Sequence, residues 1–191
     1  GKILDPFAGG SVRGIVAAYL GYNYTGIDIR QEQIDSNNEQ ADEICKATKP
    51  TYLVGDSDVV LDSVDEKFDF VFSCPPYADL EVYSDLPGDI SNMGYFDFIE
   101  VYRSIIKKAC ERLKSGGYAC FVVGEVRDKK GNYISFVPDT VDAFVDAGLK
   151  YYNEAILLNA IASASMRAQR IFGSNKKLVK VHQNVLVFYK D

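Results

Sequence analysis

The 191-residue chain holds a single histidine, His182, and its four cysteines form no C-x-x-C pair: Cys45, Cys74, Cys110 and Cys120 stand 29, 36 and 10 residues apart. That spacing argues against a zinc site and against a fold built on disulfides, so no metal is expected and the protein is expected inside a cell. Long apolar runs are missing too. The stretch from Ala155 to Ala162 is far short of the roughly 18 residues of a membrane helix, and no basic-then-apolar leader opens the chain. Neither a membrane partner nor secretion is expected. Repeats, low-complexity tracts and linkers are absent as well. What remains, 47% hydrophobic and 25% charged, suits one compact domain spanning residues 1–191. Gly1 leads directly into the apolar pair Ile3-Leu4, as expected of a chain that has lost upstream sequence.

Acidic residues are missing from one region only. Residues 155–190 carry Arg167, Arg170, Lys176, Lys177, Lys180 and Lys190 with no Asp or Glu, whereas residues 1–154 carry 15 Lys/Arg against 26 Asp/Glu. The total is 21 − 27 = −6, but the charge is split into an acidic body and a basic segment. Such a segment is either a solvated face or an anion-binding edge.

Hydrophobic periodicity gives strands alternating with helices. Lys2–Phe7 reads as a buried strand, and Val12, Ile15, Val16, Tyr19 and Leu20 mark a helix face. Tyr22–Ile29 is a second strand, residues 31–45 a helix, Thr51–Val54 a third strand and Phe68–Phe72 a fourth. Phe98 through Leu113 form an amphipathic helix closed by Gly116-Gly117, and Tyr118–Val123 is a fifth strand. Pro138 opens a further helix ended by Gly148, and the β runs 151–158 and 181–189 finish the chain, with no well-patterned helix between them. This order predicts an α/β fold with a mostly parallel sheet, its last strand antiparallel at or near the edge. In such sheets ligands bind at the carboxyl ends of the strands.

Unusual residues fall at those ends. Asp5-Pro6-Phe7-Ala8-Gly9-Gly10 lies at a strand-to-helix junction, where small residues let a ligand approach free backbone N–H groups. Asp28 ends the second strand, nineteen residues after Gly9, where a carboxylate can accept from both hydroxyls of a ribose. Gly55-Asp56-Ser57 offers another acceptor at the third strand end. Together they describe a pocket for an adenine nucleoside. Glycines at 9, 10 and 14 do not make the G-x-G-x-x-G dinucleotide fingerprint, which disfavours a pyrophosphate-binding dehydrogenase.

The fourth strand runs into Ser73-Cys74-Pro75-Pro76-Tyr77. Consecutive prolines fix a rigid loop that supplies carbonyl acceptors and, at those two positions, no donors. The exocyclic amino group of a base is a poor nucleophile because its lone pair is delocalised into the ring. Acceptors aimed at its hydrogens draw that lone pair out toward a methyl donor, and Tyr77 offers a stacking face worth about 1–3 kcal/mol per base.

On these two motifs the chain resembles, over nearly its whole length, the S-adenosylmethionine-dependent DNA amino-methyltransferases. D-P-F-A-G-G is similar to the family's D-P-F-x-G-x-G cofactor motif, and S-C-P-P-Y to its catalytic D/N/S-P-P-Y/F. The stretch from His182 to Phe188 is similar to its closing strand. The resemblance implies a seven-stranded, Rossmann-like class I methyltransferase fold with helices on both faces, with S-adenosylmethionine as cofactor and DNA as partner in a cytoplasmic setting of bacterial or phage type. It makes Asp5, Pro6, Phe7, Ala8, Gly9, Gly10, Asp28 and Asp56 the cofactor-binding residues, and Ser73, Cys74, Pro75, Pro76 and Tyr77 the catalytic ones.

Three departures bear on this. Gly10-Ser11 stands where the family more often has x-Gly, and Cys74, a weak acceptor, adjoins the prolines with Ser73 one place earlier. A Cys74 nucleophile for C5 methylation is disfavoured, because that chemistry usually places its nucleophile after a proline. There is also no room for a large target-recognition domain, so base choice falls to missing upstream sequence, a specificity subunit or short loops. The loop candidates are the 78–94 connection, with Glu81, Tyr83 and Asp85, and the cations Arg167, Arg170, Lys176 and Lys177 as DNA phosphate contacts. Adenine N6 and cytosine N4 both stay open. The alternatives are an RNA guanine or protein glutamine acceptor, or a catalytically silent nucleoside-binding subunit.

Overall fold

The computed structural model describes residues 1–77, 84, 86, 88–160 and 164–191. Seven strands, β1 (Lys2–Asp5), β2 (Asn23–Asp28), β3 (Thr51–Val54), β4 (Phe68–Ser73), β5 (Leu113–Val123), β6 (Lys150–Leu158) and β7 (His182–Tyr189), form one sheet in the order β3-β2-β1-β4-β5-β7-β6. β1 pairs in parallel with β2 and β4, and β4 in parallel with β5, whereas β7 runs antiparallel to both β5 and β6. The fold is therefore α/β and Rossmann-like. The antiparallel last strand lies near the edge, as expected, slotted between β5 and the edge strand β6. The helices are α1 (Val12–Tyr19), α2 (Gln31–Ile44), α3 (Ser57–Val60), α4 (Tyr95–Arg112), α5 (Phe136–Asp146) and α6 (Ala164–Asn175).

The order reverses at the β1/β4 pair, because the chain leaves β1 toward β2 and leaves β4 toward β5. That switch point opens a crevice at the carboxyl ends of the two strands that carry the two sequence motifs.

The core lies where α4 and α5 pack on the sheet, and it is largely aromatic. Phe98 and Tyr102 of α4 stack at 5.4 Å, Tyr102 meets Phe136 of α5 at 5.4 Å, and Phe144 stacks on Phe188 of β7 at 4.1 Å. All of these rings are fully buried. The Tyr102 hydroxyl pairs with Thr140 Oγ1, which donates to the Phe136 carbonyl, so the polar tip is satisfied inside the core. Alternation along β5 and β7 sends Tyr118 and Tyr189 to the other face of the sheet, where they meet Tyr152 of β6. Among the described residues no helix is long and apolar enough to cross a membrane.

Three expectations are corrected. The apolar face of α1 points outward: Val12 and Tyr19 are 71% and 88% exposed, while Gly14, Ala17 and Ala18 are buried. The helix is packed by its small residues because they admit close approach; a Cβ at Gly14 would stand 2.3 Å from Tyr52 Oη and 3.0 Å from Pro50 Cβ. Secondly, α6 occupies a region where the sequence shows no helical stripe. Good helix formers fill residues 166–170, but Gly173, Ser174 and Asn175 follow at once, so the pattern does not pick the segment out. Thirdly, Gly116-Gly117 does not close α4. Pairing resumes at Leu113, and residues 114–117 loop out where the β4–β5 register shifts.

Gly14→Val is expected to lower stability by about 1–3 kcal/mol through overpacking against Pro50 and Tyr52, read as a shift in the urea midpoint without a change in slope.

Candidate active site at the β1/β4 switch point

The loop after β1 is shaped by one buried carboxylate. Asp5 has no exposed surface, yet it accepts four hydrogen bonds: Oδ1 from Phe7 N (3.1 Å) and Ser73 Oγ (2.5 Å), and Oδ2 from Arg13 Nε (2.6 Å) and Tyr24 Oη (2.7 Å). Arg13 then donates through Nη2 to the carbonyls of Phe7 and Ala8. Burial, reinforced by the Asp5 carboxylate, pushes the Tyr24 phenol well above its ordinary pKa and keeps it a donor.

The turn itself is pinned from β2 and α2. Gly9 takes φ +53°, a conformation that favours glycine, and its N–H donates to Asp28 Oδ2 at 2.9 Å. The buried Asn37 of α2 donates to the Gly9 carbonyl. Asp28 Oδ1 accepts from Arg30 N, and Arg30 Nε lies 3.8 Å from the same oxygen, so two backbone donors and an ion pair orient the carboxylate. Asp56 caps the short helix α3 through Asp58 N, and Ser57 Oγ donates to the Pro6 carbonyl, tying the β3 end to the β1 loop.

These ends surround a cavity of about 380 Å³, within the range of small-molecule sites. Pro6, Phe7, Gly9, Gly10, Asp28 and Asp56 line it on one side and Cys74, Pro75, Pro76 and Tyr77 on the other. Of the residues expected at the site, Asp5, Ala8 and Ser73 do not line it; all three are fully buried behind the wall. The Ser73 hydroxyl is committed to Asp5, which leaves the loop's backbone carbonyls as acceptors. Cys74 faces the cavity, and burial, only partly opposed by Arg13, raises its thiol pKa and keeps it protonated. That disfavours a thiolate nucleophile.

Tyr77 is fixed at both ends of its ring. Phe136 meets it edge-on at 5.6 Å, and Gln183 Nε2 of β7 donates to its hydroxyl at 2.8 Å. Since Phe136 belongs to the core stack, and Phe7 lies 6.0 Å from Tyr102, both motifs are anchored on the same aromatic core.

Sequence reasoning missed Arg13 and Gln183, and placed Gly88-Asp89-Ile90 only within the 78–94 loop expected to read the base; all of these line the cavity. Arg13 carried a signal, a lone charge inside an apolar helix turn. The 88–90 segment carried none, because only the fold brings Gly88 against Asp56: a Cβ there would stand 2.8 Å from Oδ2. Asp89 is buried and accepts from Ser84 Oγ, Ser91 N and Ser91 Oγ, holding this segment inward. This part of the 78–94 connection therefore closes the Asp56 end of the cavity. Glu81, Tyr83 and Asp85 lie outside the described residues. The cations expected to contact DNA do not line the cavity. Arg167 and Arg170 are exposed on α6, Lys176 Nζ lies 5.5 Å from the Phe172 ring, and Lys177 rests against Gly131. Among the described residues no group of three or more His, Cys, Asp or Glu could hold a metal ion.

No protein-family model and no curated protein sequence matches the chain. Solved structures do. TrmN from Thermus thermophilus superposes on all of the chain with TM-score 0.62 at 14% identity, and magnesium protoporphyrin IX methyltransferase (ChlM) from Synechocystis PCC 6803, with bound SAM, on 99% with TM-score 0.60 at 13% identity. The chain has the SAM-dependent methyltransferase fold. TehB from Haemophilus influenzae is similar over the whole chain, with TM-score 0.59 and 17% identity. The chain spans 44% of the TrmN chain, 69% of the ChlM chain and 57% of the TehB chain.

Asp5→Ala leaves the Arg13 charge without its partner, and a loss of about 3–5 kcal/mol in unfolding free energy is expected from denaturant titration. Retention of wild-type stability would show that the network is not what holds the loop.

Proposed function

We propose that the protein transfers a methyl group from S-adenosylmethionine to the exocyclic amino nitrogen of a DNA base, adenine N6 or cytosine N4. The observation that carries this reading is that Pro75, Pro76 and Tyr77 share one cavity with Gly9, Asp28 and Asp56. S-adenosylmethionine, when bound, supplies an electrophilic methyl on a sulfonium and leaves as S-adenosylhomocysteine. Its fit is supported by the oriented Asp28 carboxylate for ribose hydroxyls, Asp56 beside Gly88 for the adenine end, and the open glycine turn for the amino-acid end. The chain's own residues do the rest. Tyr77, braced by Phe136 and Gln183, stacks the flipped base, and the carbonyls at Cys74 and Pro75 accept from the amino group. Holding nitrogen and methyl in line provides the main rate gain; the N–C bond forms as the S–C bond breaks, and the methylated nitrogen gives up one N–H proton to water. Phosphate contacts come from Arg167, Arg170, Lys176 and Lys177.

The test is transfer of labelled methyl to mixed-sequence DNA followed by nucleoside mass spectrometry. A methylated adenosine or cytidine amino group is expected; labelling only of RNA or protein would overturn the reading. Tyr77→Ala is expected to cut transfer at least tenfold with S-adenosylhomocysteine affinity unchanged. Asp28→Ala is expected to weaken S-adenosylhomocysteine binding by roughly 10- to 100-fold in isothermal titration, from lost charge-assisted hydrogen bonds.

Because the Cys74 thiol is held protonated, 5-fluorocytosine DNA is expected to trap no covalent adduct, and Cys74→Ala is expected to keep measurable transfer. An adduct on Cys74 would replace amino methylation by C5 chemistry.

A further inference from the structure

Beyond Tyr77's pocket, β5 leads through Gly124 and Glu125 into a short hairpin. Arg127 and Tyr133 pair as an antiparallel bridge, and the Asp128 carboxylate accepts from Asn132 N at 2.8 Å, which turns it onto the hairpin's own backbone. The Arg127 guanidinium lies 3.9 Å from the centre of the Tyr133 ring and donates to the Gly131 carbonyl. Lys177, arriving from the segment before β7, packs its side chain on Gly131. None of Arg127, Lys129, Lys130, Lys177 and Lys180 takes part in an ion pair among the described residues.

Between this hairpin, the start of α5 and the start of β7 lies a second cavity of about 530 Å³, lined among others by Tyr133, Lys180, His182, Asn184 and Glu125. Its polar groups are of two kinds. Tyr133 is 48% exposed and Lys180 half-buried. Glu125 accepts from Val137 N through Oε1, while Oε2 is shielded from water and has no donor. A bare anion would leave the exposed Tyr133 ring uncovered, and an apolar ligand, though suited to Val137, Pro138, Leu178 and Val179, would leave the lysine unserved. A nucleotide satisfies both, with its base on the Tyr133 ring and phosphate toward Lys180 and Lys177. The two cavities flank the start of the same strand: His182 and Asn184 line this one, while Gln183, turned the other way by strand alternation, lines the first and holds Tyr77.

We propose that this cleft is a nucleotide subsite that seats a residue adjoining the target base; the inference rests on the nucleic-acid reading above. The test uses a fluorescein-labelled, mixed-sequence 12-nucleotide single strand and the corresponding duplex, with binding followed by anisotropy over a range of salt. Tyr133→Ala is expected to weaken single-strand binding about tenfold, with Tyr133→Phe retaining it. The double variant Lys177→Glu/Lys180→Glu is expected to reduce the slope of log K against log salt by about 1.4, near 0.7 per lost phosphate contact. Urea midpoints within error of wild type exclude misfolding as the cause. If wild type binds and these variants bind within twofold of it, the cleft assignment is overturned and the methyl-transfer reading stands. If wild type binds neither strand nor duplex and methylates no base, the nucleic-acid reading falls, and the subsite with it.

Discussion

One buried carboxylate organises this molecule. Asp5 sits where β1 stops and gathers donors from its own loop, from α1, from β2 and from β4. A charge without solvent is tolerable only when fully hydrogen-bonded, and here each bond comes from a different element that must be correctly placed. The same group therefore fixes the glycine turn on one side and, through Ser73, the root of the proline loop on the other. Arg13 completes the arrangement by holding the Phe7 and Ala8 carbonyls, so the curvature of the loop is set from behind and the cavity side is left open.

The parts of this arrangement that were legible in the sequence are those fixed by covalent chemistry or by short-range pattern. Prolines at 75 and 76 must end a ladder, and alternating apolar runs must make strands, so the strand ends and the loop between Ser73 and Tyr77 fell where expected. Parts that depend on a partner brought from afar were not legible. α1 buries glycine and alanines because Tyr52 and Pro50 press against it, and nothing within the helix announces that pressure. Ser73 and Asp5, read as a catalytic and a cofactor residue, instead bond to each other in the interior. Gln183 reaches Tyr77 across 106 positions of chain.

Similar backbones in TrmN, ChlM and TehB, at 13–17% identity, carry the fold alone. On the proposed reading, the choice of acceptor lies in side chains that the fold does not dictate. Here those are a proline loop whose Ser73 hydroxyl is committed to Asp5, a ring braced from the core, and a neighbouring cleft that mixes cations and a tyrosine. Function in this architecture is set at the strand ends, while the sheet is held in common.

The connection that leaves β4 touches the cavity twice. Tyr77 stands at one end of it, and Gly88, eleven positions later, lies against Asp56 at the other. A molecule bound beside Asp56 and another bound on Tyr77 would thus press on two ends of one short length of chain. Any coupling between the two ligands through that stretch must be reciprocal, each changing the other's affinity by the same factor.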